Sequence, residues 1–364
     1  MLEFADIVVR ALNDPIDVKI SLSYNLVAYD ISNAVRICER AEIYTLEGSD
    51  VMQKSRAILK SLGFLEKEAY DLPDSAKRFP DGAQYRVEIP SVEGPGALKA
   101  VLEEADRYGI TIHRVSQGSG IQLLTDDEIH EMVEICAARG MELSLFVGPR
   151  GSWDIGAQPL TPQGKSIALH HEGIEQLVYA MEDLQRANRL GVRGALVADE
   201  GLMLLTKEMK KQGLLDPKFV IKASVQMMAA NPVSMRLAEE NGADTYNVPP
   251  ALTLPKLASI RQAVDIPLDL YIEAPDSLGG FIRHYEIAEI IRVLSPVYIK
   301  FGLRNHPDVY PSGQHLEEFT IKLCRERVRR AYLGLNLLKQ YGAEYQASDL
   351  GAIGLGVPQR SLDH

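Results

Sequence analysis

The chain has 364 residues, 46% of them hydrophobic and 24% charged, with 39 Lys plus Arg against 50 Asp plus Glu and a formal net charge of −11. Such an acidic balance argues against broad nucleic-acid or anionic-membrane binding, and the size allows a large core. Three cysteines, Cys38, Cys136 and Cys324, lie far apart in helical contexts and outside any metal-type spacing, so reduced thiols and a cytoplasmic setting are expected.

The N-terminus, MLEFADIVVRALNDP, carries acids where a signal peptide carries bases, and no apolar run reaches membrane-spanning length. Residues 1–82 read as a helical N-terminal extension, with MQKSRAILKSLGFLEK its clearest helix. Packing or oligomerisation is its expected role, and a homo-oligomer is the expected state.

From about residue 84, short β-type runs alternate with helical patterns. The strand runs are YRVEIPS (85–91), TIHRVSQ (111–117), MELSLFV (141–147), GALVAD (194–199), FVIKASVQ (219–226), ADTYNVP (243–249), PLDLYIE (267–273) and PVYIKFG (296–302). Between them, apolar residues recur at three and four, as one buried helix face requires. Eight such pairs over residues 83–341 predict parallel strands with right-handed crossovers, an α/β fold of the (β/α)8 TIM-barrel type. No Gly-rich dinucleotide fingerprint follows the first strand, so no nicotinamide cofactor is expected. Residues 342–364 read as a loosely ordered C-terminal arm.

Alternation along each strand assigns faces. Val87, Ile89, Leu268, Leu270 and Ile272 should meet the helices. Arg86, Glu88, Arg114, Ser116, Glu142, Ser144, Lys222, Ser224, Gln226, Thr245, Asn247, Asp269, Tyr271, Glu273, Tyr298 and Lys300 should face inward. A purely structural interior would use Val, Ile and Leu, and unpaired charges there would cost several kcal/mol each. The interior is therefore expected to combine a paired ionic network in its lower layers with an active site at the C-terminal ends of the strands.

Glu88, Lys222, Glu273, Lys300 and His171 are the candidate catalytic groups. Arg114, Gln117, Arg150, Gln226, Asn247 and Arg304 are the candidate binders of a small anionic substrate, guanidinium being a bidentate fork for carboxylate or phosphate. Three chemistries suit this set. A divalent cation (Mg, Mn, Zn or Fe) could sit on Glu88, Asp199, Glu273 and His170. Lys222 or Lys300 could act as a Schiff-base amine. A Glu could work with a Lys, Tyr or His as a metal-free acid–base pair. A Ser nucleophile is not supported, since no G-x-S-x-G elbow occurs. Residues 148–173 form a long segment without periodicity, carrying Trp153, His170 and His171, as a lid would. Gly279 and Gly280 precede FIRHYEIAEIIRVL, where a helix start could hold an anion.

The stretch NGADTYNVPPALTLPKLASIRQAVDIPLDLYIEA, residues 241–274, resembles the second half of the U32 (collagenase-like) peptidase family. The resemblance implies a TIM-barrel-like domain. Several members resemble RNA- or quinone-modifying proteins with an iron–sulfur cluster on four cysteines. Where a cysteine-rich segment would follow the strand, this chain has Glu273-Ala-Pro-Asp, and three cysteines exclude a four-cysteine cluster. The expected function is an enzyme acting on a small anionic metabolite by lyase, aldolase or hydrolase chemistry. The alternatives are a U32-like peptidase and a non-catalytic binding barrel.

Overall fold

In the computed structural model, residues 53–149, 170–341 and 345–360 are described. The chain divides into two compact units, residues 1–58 and 59–364. Most of the expected N-terminal extension lies outside the described residues. The helix in MQKSRAILKSLGFLEK is present over residues 53–61.

The second unit contains eight parallel strands: β1 Tyr85–Pro90, β2 Arg114–Ser116, β3 Glu142–Phe146, β4 Gly194–Val197, β5 Val220–Ala223, β6 Thr245–Asn247, β7 Leu268–Glu273 and β8 Val297–Phe301. They pair in chain order, and β8 returns to β1, closing the sheet into a barrel. Helices follow each strand in turn: α1 Pro95–Tyr108, α2 Asp126–Arg139, α3 Gly173–Arg189, α4 Glu200–Lys211, α5 Pro232–Glu240, α6 Leu254–Ala263, α7 Ile287–Leu294 and α8 Glu317–Gln340. This is a (β/α)8 TIM-type barrel. No described helix is long and apolar enough to cross a membrane.

The outward strand positions explain the closure. Val87, Ile89, Val115, Leu143, Leu145, Ile221, Leu268, Leu270, Val297 and Ile299 are buried in one core with the apolar faces of the helices. Burying a side chain of this size contributes roughly 1.5–3 kcal/mol, so the two-residue alternation alone forces the polar partners inward. Helix ends follow local rules. Thr125 and Glu128 form a reciprocal capping box at the start of α2, and Gly140 ends that helix with φ 65°.

Three expectations are corrected. First, β7 and β8 lose register between Tyr271 and Glu273, so that Glu273 pairs with Phe301 rather than continuing the alternation. Glu273 therefore leaves the interior and turns toward the helix layer, with its carboxylate near His284 and Arg330. One extra residue in a strand does this by shifting the faces by one. Second, Gly279 and Gly280 do not open a helix. Gly279 ends a 3₁₀ turn, and α7 starts only at Ile287. A Cβ on Gly280 would lie 2.6 Å from the Asp276 carboxylate and 2.9 Å from Arg304 Nε, so the turn is filled by that ion pair.

Third, residues 345–360 are no loose arm but a strap across the N-terminal end of the barrel. Ala347 bridges to Tyr85 in parallel. Gly351 N donates to Gly140 O at 2.8 Å, and Gln359 N to Gly191 O at 2.9 Å. Gly191 has φ +95°, and a Cβ there would sit 2.1 Å from Gln359 O, so only glycine admits the strap at that point. Arg86 Nε donates to Ser348 Oγ at 2.8 Å and Nη2 to Ile353 O at 2.9 Å. Gly356 N donates to Glu142 Oε2 at 3.2 Å.

The strap also holds His113. Val87 N donates to its Nδ1 at 3.0 Å, which leaves the proton on Nε2, 2.7 Å from Ser348 O. Burial, with Arg86 adding repulsion, pushes this imidazole down to about 4. A folded pKa below the unfolded value near 6.5 means that the unfolded chain binds the proton first. Stability is therefore expected to be full above about pH 6.5 and to fall by on the order of 3 kcal/mol as pH drops to about 4. Urea melts of wild type and His113→Gln between pH 4.5 and 7 check this. An equal pH slope in both proteins would refute the assignment.

Candidate active site

The interior charges meet in one network. Glu88 sits on β1 with no exposed surface. Its Oε1 receives Lys222 Nζ from β5, Lys300 Nζ from β8 at 3.0 Å and Ser116 Oγ from β2 at 2.7 Å. Its Oε2 lies 3.2 Å from Arg114 Nη1. The same Nη1 is 2.9 Å from Asp269 Oδ2, while Arg114 Nε pairs with Glu142 Oε1. Lys222 is also 3.3 Å from Asp269 Oδ2. The Arg114 guanidinium stacks on the Tyr298 ring, 3.5 Å from its centre, and Tyr298 OH links Arg86 at 3.0 Å to Glu142 at 3.2 Å. Strand register builds this arrangement, since Glu88 stands level with both Arg114 and Lys300.

The count is uneven. Among the described residues the interior holds four cations, Arg86, Arg114, Lys222 and Lys300, against three carboxylates, Glu88, Glu142 and Asp269. Expulsion of Glu273 at the bulge leaves this surplus of one positive charge. Two consequences are visible in the pKa values. Burial opposes ionisation of Glu88, but Lys222, Lys300 and Arg114 outweigh it and hold the carboxyl well below its usual range. Burial drives Lys222 down to about 8, opposed by Glu88 and assisted by Lys300.

Above the network a cleft opens at the C-terminal ends of the strands. Lys300 forms part of its floor, beside Asn247, Tyr271, Ser116 and Ser224. Phe146 and Leu196 give it one apolar wall, and Ser91, Tyr310 and Asp308 stand on the opposite side. Lys300 Nζ lies 4.6 Å from the centre of the Tyr271 ring. With the Asn247 amide oriented to satisfy its neighbours, its oxygen accepts from Lys300 Nζ at 3.1 Å and its nitrogen donates to Asp269 O at 3.3 Å. Among the described residues, Lys300 is the lysine that lines this cleft. Lys222 lies in the network rather than among the lining residues.

The candidate residues thus separate. Glu88, Lys222, Lys300, Arg114 and Asn247 come together. Arg114 is fully buried and committed to three carboxylates, so it is removed from substrate binding. Gln117 lines the cleft, but its amide closes a turn on Gly120 O and N, both at 3.1 Å. Gln226 stands at the cleft edge. Arg304 is a rim residue paired with Asp276 at 2.8 Å.

Asp199 caps α4 through Leu202 N at 2.8 Å and receives His171 N at 3.1 Å. Its pKa is lowered, because these bonds and the His171 ring outweigh burial. His170 Nδ1 lies 3.4 Å from Asp199 and 3.5 Å from Glu200. The expected metal set of Glu88, Asp199, Glu273 and His170 is not gathered in one place, and no group of three or more His, Cys, Asp or Glu suited to a metal occurs among the described residues. Glu273 accepts from Arg304 N at 3.1 Å, and its pKa is lowered because this bond, His284 and Arg330 outweigh burial. It latches the β8 loop to α8 rather than facing the cleft. Arg150 and Trp153, with most of the proposed lid, lie outside the described residues. The sequence reading missed Phe146 and Leu196 as cleft walls, and it missed the buried Arg327 of α8 altogether. The first two carried a signal, since they share the inward parity of Ser144 and Gly194.

The chain is similar to known proteins in part of its sequence pattern and in its fold. The model of peptidase family U32 matches residues 167–274, under a third of the chain. No curated protein matches it. Among solved structures, the U32 peptidase Mk0906 aligns at 15% identity over 64% of this chain and 98% of its own, with a TM-score of 0.37. The native structure of KDPGal aligns at 11% identity over 72% and 99%, TM-score 0.39. A truncated 3-deoxy-D-arabino-heptulosonate 7-phosphate synthase from Thermotoga maritima aligns at 13% identity over 76% and 95%, TM-score 0.41. TM-scores this low carry no functional weight. The chain is a (β/α)8 barrel that resembles peptidase family U32 over residues 167–274 and lacks four cysteines for a cluster.

Proposed function

We propose that the protein is an enzyme that forms a Schiff base between Lys300 and the carbonyl of a small oxo-acid, and so makes or breaks an adjacent carbon–carbon bond. One observation carries this reading: the cleft-lining amine shares a single Glu88 oxygen with a second buried lysine. Two ammonium groups on one carboxylate oxygen repel each other, and a surplus positive charge surrounds them. Burial, aided by Lys300, brings Lys222 down to about 8. The Lys300 amine at the cleft floor, crowded by this second lysine, is the nucleophile that imine formation needs. Glu88, held ionised, is placed to take the proton that Lys300 loses on attack and to return one when water leaves. The same surplus attracts an anionic substrate into the cleft.

The experiment is borohydride trapping with pyruvate and related oxo-acids, read by intact mass and peptide mapping. A single adduct on Lys300, absent in Lys300→Met, is the expected result. Its rate should rise with pH, since only an unprotonated amine attacks a carbonyl. Absence of any adduct, or an adduct spread over surface lysines, would end the Schiff-base reading.

A further inference from the structure

A second compartment adjoins the cleft between the ends of β1, β7 and β8. Its lining includes Ser91, Tyr271, Gly302, His306, Tyr310 and Arg327. Ser91, Tyr271 and Tyr310 also line the Lys300 cleft, so the two spaces share walls. Arg327 lies on α8 and is only 2% exposed. A buried guanidinium is costly unless it is paired with an acid. Yet Nη1 donates to neutral acceptors, Ser91 O at 3.3 Å and Cys324 Sγ at 3.7 Å. Its Nε is buried and has no partner among the described residues. The buried Glu93 carboxylate acts on its charge but makes no hydrogen bond to it. That carboxylate is occupied by Gly118 N at 2.8 Å and by Ser119 N and Oγ at 3.0 and 2.5 Å.

The surrounding backbone is shaped around this cation. Ser91 has φ +58°, rare for a residue with a side chain. That conformation turns its carbonyl to Arg327 and its hydroxyl to Tyr310. Residues held this way cluster at ligand clamps.

We infer that this compartment is a carboxylate-binding subsite anchored by Arg327, which holds the acid end of the substrate while its carbonyl meets Lys300. The substrate class rests on the Schiff-base reading; the subsite rests on the buried guanidinium whose Nε has no partner among the described residues. The charge count selects a monoanion. Asp276 is neutralised by Arg304 and by Asn305 N at 2.6 Å, but Asp308 stands on the rim with its Oδ1 facing Tyr310 N at 3.1 Å. One cation set among two carboxylates, buried Glu93 and rim Asp308, favours a carboxylate monoanion over a phosphate dianion.

The test compares two ketones of similar size, pyruvate and uncharged hydroxyacetone, in borohydride trapping. Arg327→Gln is expected to raise the half-saturating pyruvate concentration at least tenfold and to leave hydroxyacetone trapping unchanged. Arg327→Lys, which keeps the charge but loses the fork, should recover part of the loss. Equal loss for both ketones in both variants would show a structural role and overturn the subsite. Propionate binding by calorimetry separates this inference from the Schiff-base reading. Should no ketone be trapped in wild type, propionate binding that disappears in Arg327→Gln would still sustain the subsite. Propionate that does not bind, or inorganic phosphate that binds more tightly, would overturn it.

Discussion

Replacing Glu88 by Gln is expected to destabilise the barrel by about 3–5 kcal/mol, because it removes the carboxylate on which Lys222, Lys300 and Arg114 converge and leaves them buried. Lys222→Met should cost clearly less. It removes the surplus positive charge, relieves repulsion on Lys300, and leaves Glu88 paired with Lys300 and Arg114. A barrel held together by generic ion pairing would lose similar stability from either change. Urea unfolding of the two variants at pH 7 distinguishes the accounts. Equal losses would mean that the interior is charge-balanced in solution and that the surplus assigned to the cleft is absent.

Removal of residues 345–360 is expected to cost about 5 kcal/mol or more, summing several buried hydrogen bonds worth roughly 1–3 kcal/mol each when one partner is lost. Arg86 would lose Ser348 Oγ and Ile353 O, Glu142 would lose Gly356 N, and His113 would lose Ser348 O. Water entering from that end would also weaken the ion pairs above. Thermal melts of the shortened and full-length chains read the effect. A shared melting midpoint would show that solvent replaces the strap without loss, and that the lower network is not sealed by it.

Much of this architecture was legible in residue alternation. Leu268, Leu270 and Ile272 had to face a helix, and that placed Asp269 and Tyr271 inside. The same logic failed two residues later at Glu273, because a bulge depends on the neighbouring strand. Gly302 lets it form, since a Cβ there would meet Glu273 O at 2.7 Å. No pattern within β7 carries that information. Arg327 was hidden for a different reason. In RERVRR it reads as one cation on a solvated helix face, and only the packing of α8 against β1 buries it. The strap lacked periodicity because its hydrogen bonds run mainly to the barrel end, with only isolated turns within itself. The site was legible as a set of inward charges, but their pairing, and therefore which amine remains available, required the register.

The strap has a consequence for synthesis as well as for stability. Arg86 is translated early in the barrel and finds its Ser348 partner 262 residues later. Until then a nascent chain on the ribosome can form strand–helix units but cannot complete the hydrogen bonds at the lower end of its own lumen. Commitment to the closed barrel is therefore deferred until the strap has been translated, and the half-made chain depends on its helices, not its interior, to stay out of aggregates.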